Sequence, residues 1–136
     1  MATKILDAFA LMAFLHDEPG ATAVENLIAD ATEGKVNLAI CTVNLGEIWY
    51  SIARKLSAAK ADDYVKEIQE MPIEVVSPDW ALTRQAAIYK TKGNISYADC
   101  FAAALAKIRA APVITGDREF ETLSDDIKIE WLGSTS

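Results

Sequence analysis

Short apolar runs of strand length alternate with longer helical segments along the whole chain, and few architectures accept that order. Thr3 to Leu6, Val36 to Ile40, Ile73 to Val76, Val113 to Thr115 and Ile127 to Leu132 read as five strands. Between them, helices are predicted over Ala8 to Leu15, roughly Ala21 to Glu33, roughly Val43 to Leu56, Ala58 to Glu70, roughly Asp79 to Thr91 and Ser96 to Ala110. A short helical turn is expected around Arg118 to Leu123, and Pro19-Gly20 breaks the first two helices apart. Strands separated by helices of this length favour a mostly parallel five-stranded sheet covered on both faces, a three-layer α/β fold. The 136 residues suit a single domain over 1–136, and 51% apolar content with sparse Gly and Pro is enough to close its core. No repeat, linker or low-complexity segment interrupts it.

Several function classes fall away on composition. The longest apolar runs, Ala8 to Leu15 and Cys100 to Ala106, are far shorter than a bilayer span of roughly 18 residues. A signal peptide is not expected, because Asp7 interrupts the N-terminal apolar stretch and His16-Asp17-Glu18-Pro19 stands where a cleavage site belongs. Cys41 and Cys100 lie far apart in apolar surroundings, which points to buried thiols in a cytoplasmic protein and to no zinc or disulfide framework. One histidine, His16, cannot form a paired-histidine acid/base site, so phosphodiester chemistry would have to run on carboxylates. The net charge of −7 opposes nonspecific nucleic-acid binding unless bound divalent ions reverse the local sign.

Four acids interrupt apolar segments, whereas most of the others lie in polar stretches. Asp7 is the only acid between Met1 and Leu15, Glu47 the only one between Cys41 and Ala61, and Asp99 the only one between Trp80 and Thr115. Asp117 stands two residues past the fourth strand, as Asp7 stands just past the first. In a sheet of this kind, ligands collect beyond the carboxyl ends of the strands where the strand order reverses. Each acid also has an ordinary explanation. Ser96-Tyr97-Ala98-Asp99 matches a capping box, Asp7 and Asp117 are suited to N-caps, and Glu47 follows Asn44 at capping spacing or points to solvent. None of these accounts for all four meeting one sheet edge. A hard divalent cation does, since two carboxylates about 4 Å apart repel by roughly 4 kcal/mol at an effective dielectric near 20.

Ile5-Leu6-Asp7-Ala8, Asn44-Leu45-Gly46-Glu47-Ile48, Ile95-Ser96-Tyr97-Ala98-Asp99-Cys100 and Pro112-Val113-Ile114-Thr115-Gly116-Asp117-Arg118-Glu119-Phe120 occur in that order. Together they resemble PIN-domain nucleases of the VapC toxin type, and the resemblance runs from Thr3 to Leu132. It implies a PIN-like α/β/α sandwich and an acidic pocket of Asp7, Glu47, Asp99 and Asp117. It also implies RNA cleavage with Mg²⁺ or Mn²⁺, a homodimer, and a small antitoxin protein as inhibitor. The family often has Ser or Thr two positions after the first Asp; Phe9 stands there in this chain, removing a hydroxyl from the neighbourhood of the metal.

The expected roles are metal binding led by Asp7 and Asp99, with Glu47 and Asp117 completing the pocket directly or through water. Thr115 is a candidate for bonding a ligand or an acid in the pocket, or an ordinary strand-end threonine; Arg118, Lys90 and Lys92 are candidates for phosphate steering, or plain surface. Trp80 reads as core, and Trp49 and Tyr50 as core or as part of a partner groove. Two rivals remain: a PIN-like module that binds RNA or protein without cutting, and a metal-dependent phosphatase or other phosphotransfer domain on a similar sheet. The second lacks support, for there is neither a Gly-rich phosphate loop nor a lysine after a late strand.

Overall fold

The computed structural model describes residues 1–133. Its strands are β1 (Thr3–Leu6), β2 (Asn37–Cys41), β3 (Ile73–Val76), β4 (Val113–Thr115) and β5 (Ile129–Trp131). Its helices are α1 (Ala8–Leu15), α2 (Ala21–Thr32), α3 (Thr42–Lys55), α4 (Ala58–Gln69), α5 (Trp80–Lys90) and α6 (Tyr97–Arg109), with a 3-10 turn at Arg118–Leu123. Side-chain caps fix several helix starts, as Ser57 accepts from the Lys60 amide and Asp79 from the Leu82 amide. No described helix is long and apolar enough to cross a membrane.

All five strands pair in parallel, in the order β3-β2-β1-β4-β5. The chain builds outward from β1 through β2 to β3, then crosses back to lay β4 and β5 on the other side. The reversal therefore falls between β1 and β4. Strand alternation divides the core: Leu6, Leu38, Ile40 and Ile114 pack with residues of α1, α2, α3 and α4, while Ile5, Ala39, Cys41 and Val113 face α5, α6 and the 3-10 turn.

Helix α6 is buried without a break from Asp99 to Ala106. Its alanines let it approach the sheet closely, which carries its one acid inward.

Trp80 departs from the expected core position and is 72% exposed. The buried residues of α5 are Leu82, Ala86 and Tyr89, one helical stripe, and Trp80 lies two residues before it, on the opposite face. Trp49 is half-buried and its Nε1 donates to Asp62 Oδ1 at 2.9 Å, while Tyr50 is exposed with the Arg54 guanidinium over its ring.

Candidate metal centre

Asp7 follows the last residue of β1, so the sheet delivers its carboxylate to the switch point between β1 and β4. It is buried, with 1% of its surface exposed. Oδ1 accepts from the Ala10 amide at 2.9 Å, so the capping role expected of Asp7 is present. Oδ2 accepts from the Thr115 hydroxyl at 2.5 Å across the β1–β4 seam. Thr115 Oγ1 accepts in turn from the Asp117 amide at 3.0 Å, and Asp117 Oδ1 caps the 3-10 turn through the Glu119 amide at 2.9 Å. One buried hydroxyl thus ties two of the four acids together. Thr115→Val removes this link and leaves an amide and a carboxylate short of a partner. It is expected to cost about 1–3 kcal/mol of stability, read as an earlier urea midpoint; an unchanged midpoint would show the hydroxyl to be dispensable.

The capping box anticipated at Ser96 is only half formed. Ser96 Oγ accepts from the Asp99 amide at 3.2 Å, but the Ser96 amide donates to Glu119 Oε1 at 3.0 Å, the bond Asp99 would have taken. The Asp99 carboxylate is released from capping and turns to its neighbours. Ligand oxygens of Asp99, Asp117 and Glu119 all lie within 4.8 Å of one another.

Glu47 reaches the same place from α3. Asn44 is the third residue of that helix and does not cap it; its Nδ2 donates to Glu47 Oε1 at 3.4 Å and to the Ala98 carbonyl at 3.0 Å, joining α3 to the start of α6. Asn44 is wholly buried, and its Oδ1 has no protein partner among the described residues.

The electrostatics follow from this crowding. Burial pushes the Asp99 carboxyl up to about 9, helped by the hydrogen bond it shares with Asp117 and by the charges of Asp117, Asp7 and Glu47. Burial raises Asp7 to about 7 against the lowering pull of the Thr115 and Ala10 hydrogen bonds, and the charges of Asp117 and Glu47 add to the rise. Glu47 is also raised, chiefly by burial, with Asn44 opposing and Asp117 and Glu119 adding. Among the described residues, none of these five acids forms an ion pair with a basic side chain. Two buried acids, Asp7 and Asp99, beside the less buried Glu47, Asp117 and Glu119, with an oxygen-only donor set and no basic partner among the described residues, fit a hard divalent cation.

All four sequence-predicted acids therefore enter one neighbourhood, with Asp99 and Asp117 tightest and Asp7 and Glu47 within electrostatic reach. Thr115 bonds an acid. Arg118 turns away, pairing with Glu121 Oε1 at 3.0 Å and lying over the Trp131 ring at 4.3 Å. Lys92 is exposed, and its charge acts on Asp126. Lys90 Nζ donates to the Ile95 carbonyl at 2.8 Å.

Sequence reasoning passed over Glu119, which stands in a charged stretch resembling solvated surface; its signal was the place directly after the strand-end turn that holds Asp117. It noticed Asn44 only as a possible cap. A buried amide in the first turn of an apolar helix was the available clue.

A family model described as PIN domain matches residues 4–125. Comparison with curated proteins finds no match. Among solved structures, VapBC2 from Rickettsia felis bound to a promoter DNA fragment superposes with a TM-score of 0.75 at 15% identity, covering 96% of this chain and 98% of that one. DNA-bound VapBC from Salmonella typhimurium gives 0.74 at 20% identity over 96% and 98%. VapC20 from Mycobacterium tuberculosis, described as a toxin that cleaves the sarcin-ricin loop, gives 0.70 at 16% identity over 88% and 94%. At these identities the likeness shows the fold.

Proposed function

The chain belongs to the PIN-domain family, and from that premise we propose that it is a metal-dependent endoribonuclease, the toxin of a type II toxin–antitoxin pair. The observation that carries the reading is the convergence of Asp99, Asp117 and Glu119 within 4.8 Å, with Asp7 and Glu47 beside them and no basic partner for any of the five among the described residues. A single PIN domain over 1–136, acting in the cytoplasm as a homodimer, completes the reading. The fold shared with VapBC complexes supports a small antitoxin protein as partner.

In this reading Asp7, Asp99, Asp117 and Glu47, joined by Glu119, hold Mg²⁺ or Mn²⁺. Such an ion, when bound, would lower the pKa of a bound water and offset charge on the scissile phosphate. The chain's own part is positioning. Thr115 holds Asp7 and the Asp117 backbone at a fixed separation, and Asn44 fixes Glu47 against the start of α6. Glu119 takes over the capping bond so that Asp99 stays available. A carboxylate of the cluster accepts the proton released as water attacks. Arg118 and Lys92 are exposed and act on phosphate through their field, with no ion pair to any of the five acids among the described residues.

Incubation with total RNA in Mn²⁺ or Mg²⁺ is expected to give endonucleolytic products that vanish on adding EDTA and return with excess metal. RNA binding without cleavage under every metal condition would favour the inactive module instead.

A further inference from the structure

We propose that Phe9 is a stacking platform for an unpaired base of the RNA, seated beside the acidic cluster; this rests on the ribonuclease reading and deepens it by assigning how substrate is gripped. Helix α1 has the sequence AFALMAFL and buries Ala8, Ala10, Leu11 and Ala13. Phe9 lies in its first turn, two residues past Asp7, and is 43% exposed. The core therefore does not use much of this ring.

The ring lies against the loop that follows β4. A Cβ added at Gly116 would lie 2.3 Å from Phe9 Cε1, 2.5 Å from Cζ and 3.0 Å from Cδ1, so the ring rests directly on bare backbone. Gly116 does not have the positive φ that would call for glycine, unlike Gly20, Gly34, Gly93 and Gly133. The bare backbone at 116 is what lets the ring lie this close, since a side chain there would push the ring outward. The peptide it covers joins Thr115, which holds Asp7, to Asp117, so the aromatic surface sits at the edge of the acids.

The charge distribution explains why such a surface is needed. With a net charge of −7, the chain has little phosphate attraction to draw on. Of the nearest basic groups in sequence, Arg118 is engaged by Glu121 and Trp131 and Lys90 by the Ile95 carbonyl, while Lys92 is exposed. The diffuse field of Arg118 and Lys92 leaves room for uncharged contact to add grip, and every base presents a π-face to an aromatic ring. Only unstacked bases offer that face, so the platform selects single-stranded RNA.

The test measures binding of a fluorescein-labelled single-stranded RNA in Ca²⁺ by anisotropy. The comparison ligand is an abasic oligomer of equal length, which keeps the phosphates and lacks the bases. Phe9→Ala is expected to weaken RNA binding about tenfold and to leave binding of the abasic oligomer unchanged, while Phe9→Trp restores RNA binding. Gly116→Ala should displace the ring and reproduce the loss. Equal RNA binding by wild type and Phe9→Ala, an equal loss on both oligomers, or no RNA binding by wild type overturns the platform. Cleavage of total RNA is scored separately. A protein that cuts RNA but ignores Phe9→Ala refutes the platform alone, and one that distinguishes the oligomers without cutting refutes the ribonuclease reading alone.

Discussion

Asp99→Asn is expected to reduce RNA cleavage by on the order of a thousandfold or more while making the metal-free protein more stable at pH 8. The first effect follows if Asp99 is a metal ligand, since a neutral amide oxygen is a far poorer partner for a divalent ion than a carboxylate. The second follows from linkage. Asp99 titrates from an ordinary value of 3.8 up to about 9 in the folded chain, so between those values the folded state holds a proton that the unfolded state has lost. Stability from this group is complete below about pH 4 and drains away as pH rises toward 9. Asn imitates the protonated carboxyl without titrating, and its amide can still donate to Asp117. Thermal melts in EDTA at pH 8 should place the variant about 5 °C or more above wild type, with the gap closing near pH 4. Full cleavage by the variant would sink the assignment of Asp99, and a lower melting temperature at pH 8 would show that its carboxylate is stabilised by something other than a metal.

Metal affinity is expected to climb steeply with pH. The folded chain holds protons on Asp99 and Asp7, raised to about 9 and about 7, and a metal must displace them. Between pH 6 and pH 8 the two displacements together raise the apparent affinity on the order of a thousandfold, whereas carboxylates of ordinary pKa would leave it flat. Calorimetric titration with Mn²⁺ at pH 6, 7 and 8 reads this directly, and the same titration in two buffers of different ionisation enthalpy counts the protons released. A constant affinity over that window would place the bound ion away from Asp7 and Asp99. Asp7→Asn should flatten the lower half of the curve and leave the upper half sloping, because Asp7 is the group that titrates near neutrality.

Much of the scaffold was legible because it depends on local periodicity. Each expected strand and helix is present, with ends shifted by a residue or two, and the alternation alone implied that Asp7 and Asp117 would share an edge. Trp80 was misplaced because apolar character does not say which face of a helix meets the sheet, and that depends on the stripe set by Leu82, Ala86 and Tyr89. The candidate acids stand out by contrast with apolar neighbours, a contrast strong for Asp7 and Asp99 and absent for Glu119, whose neighbours are charged.

The sequence by itself determined the layers, the parallel sheet and the edge that Asp7 and Asp117 share, because strand-length apolar runs alternating with helix-length segments admit few other arrangements. Tertiary structure alone decided how those acids are held: Glu119 replacing Asp99 in the Ser96 cap, Thr115 bridging Asp7 and Asp117, Asn44 tethering Glu47 to Ala98, and Phe9 lying on Gly116. Most of these contacts join residues dozens of positions apart, 23 for Ser96 and Glu119, 54 for Asn44 and Ala98, 108 for Asp7 and Thr115. At such separations the geometry is set by how strands and helices stack, and no local pattern in the chain encodes it.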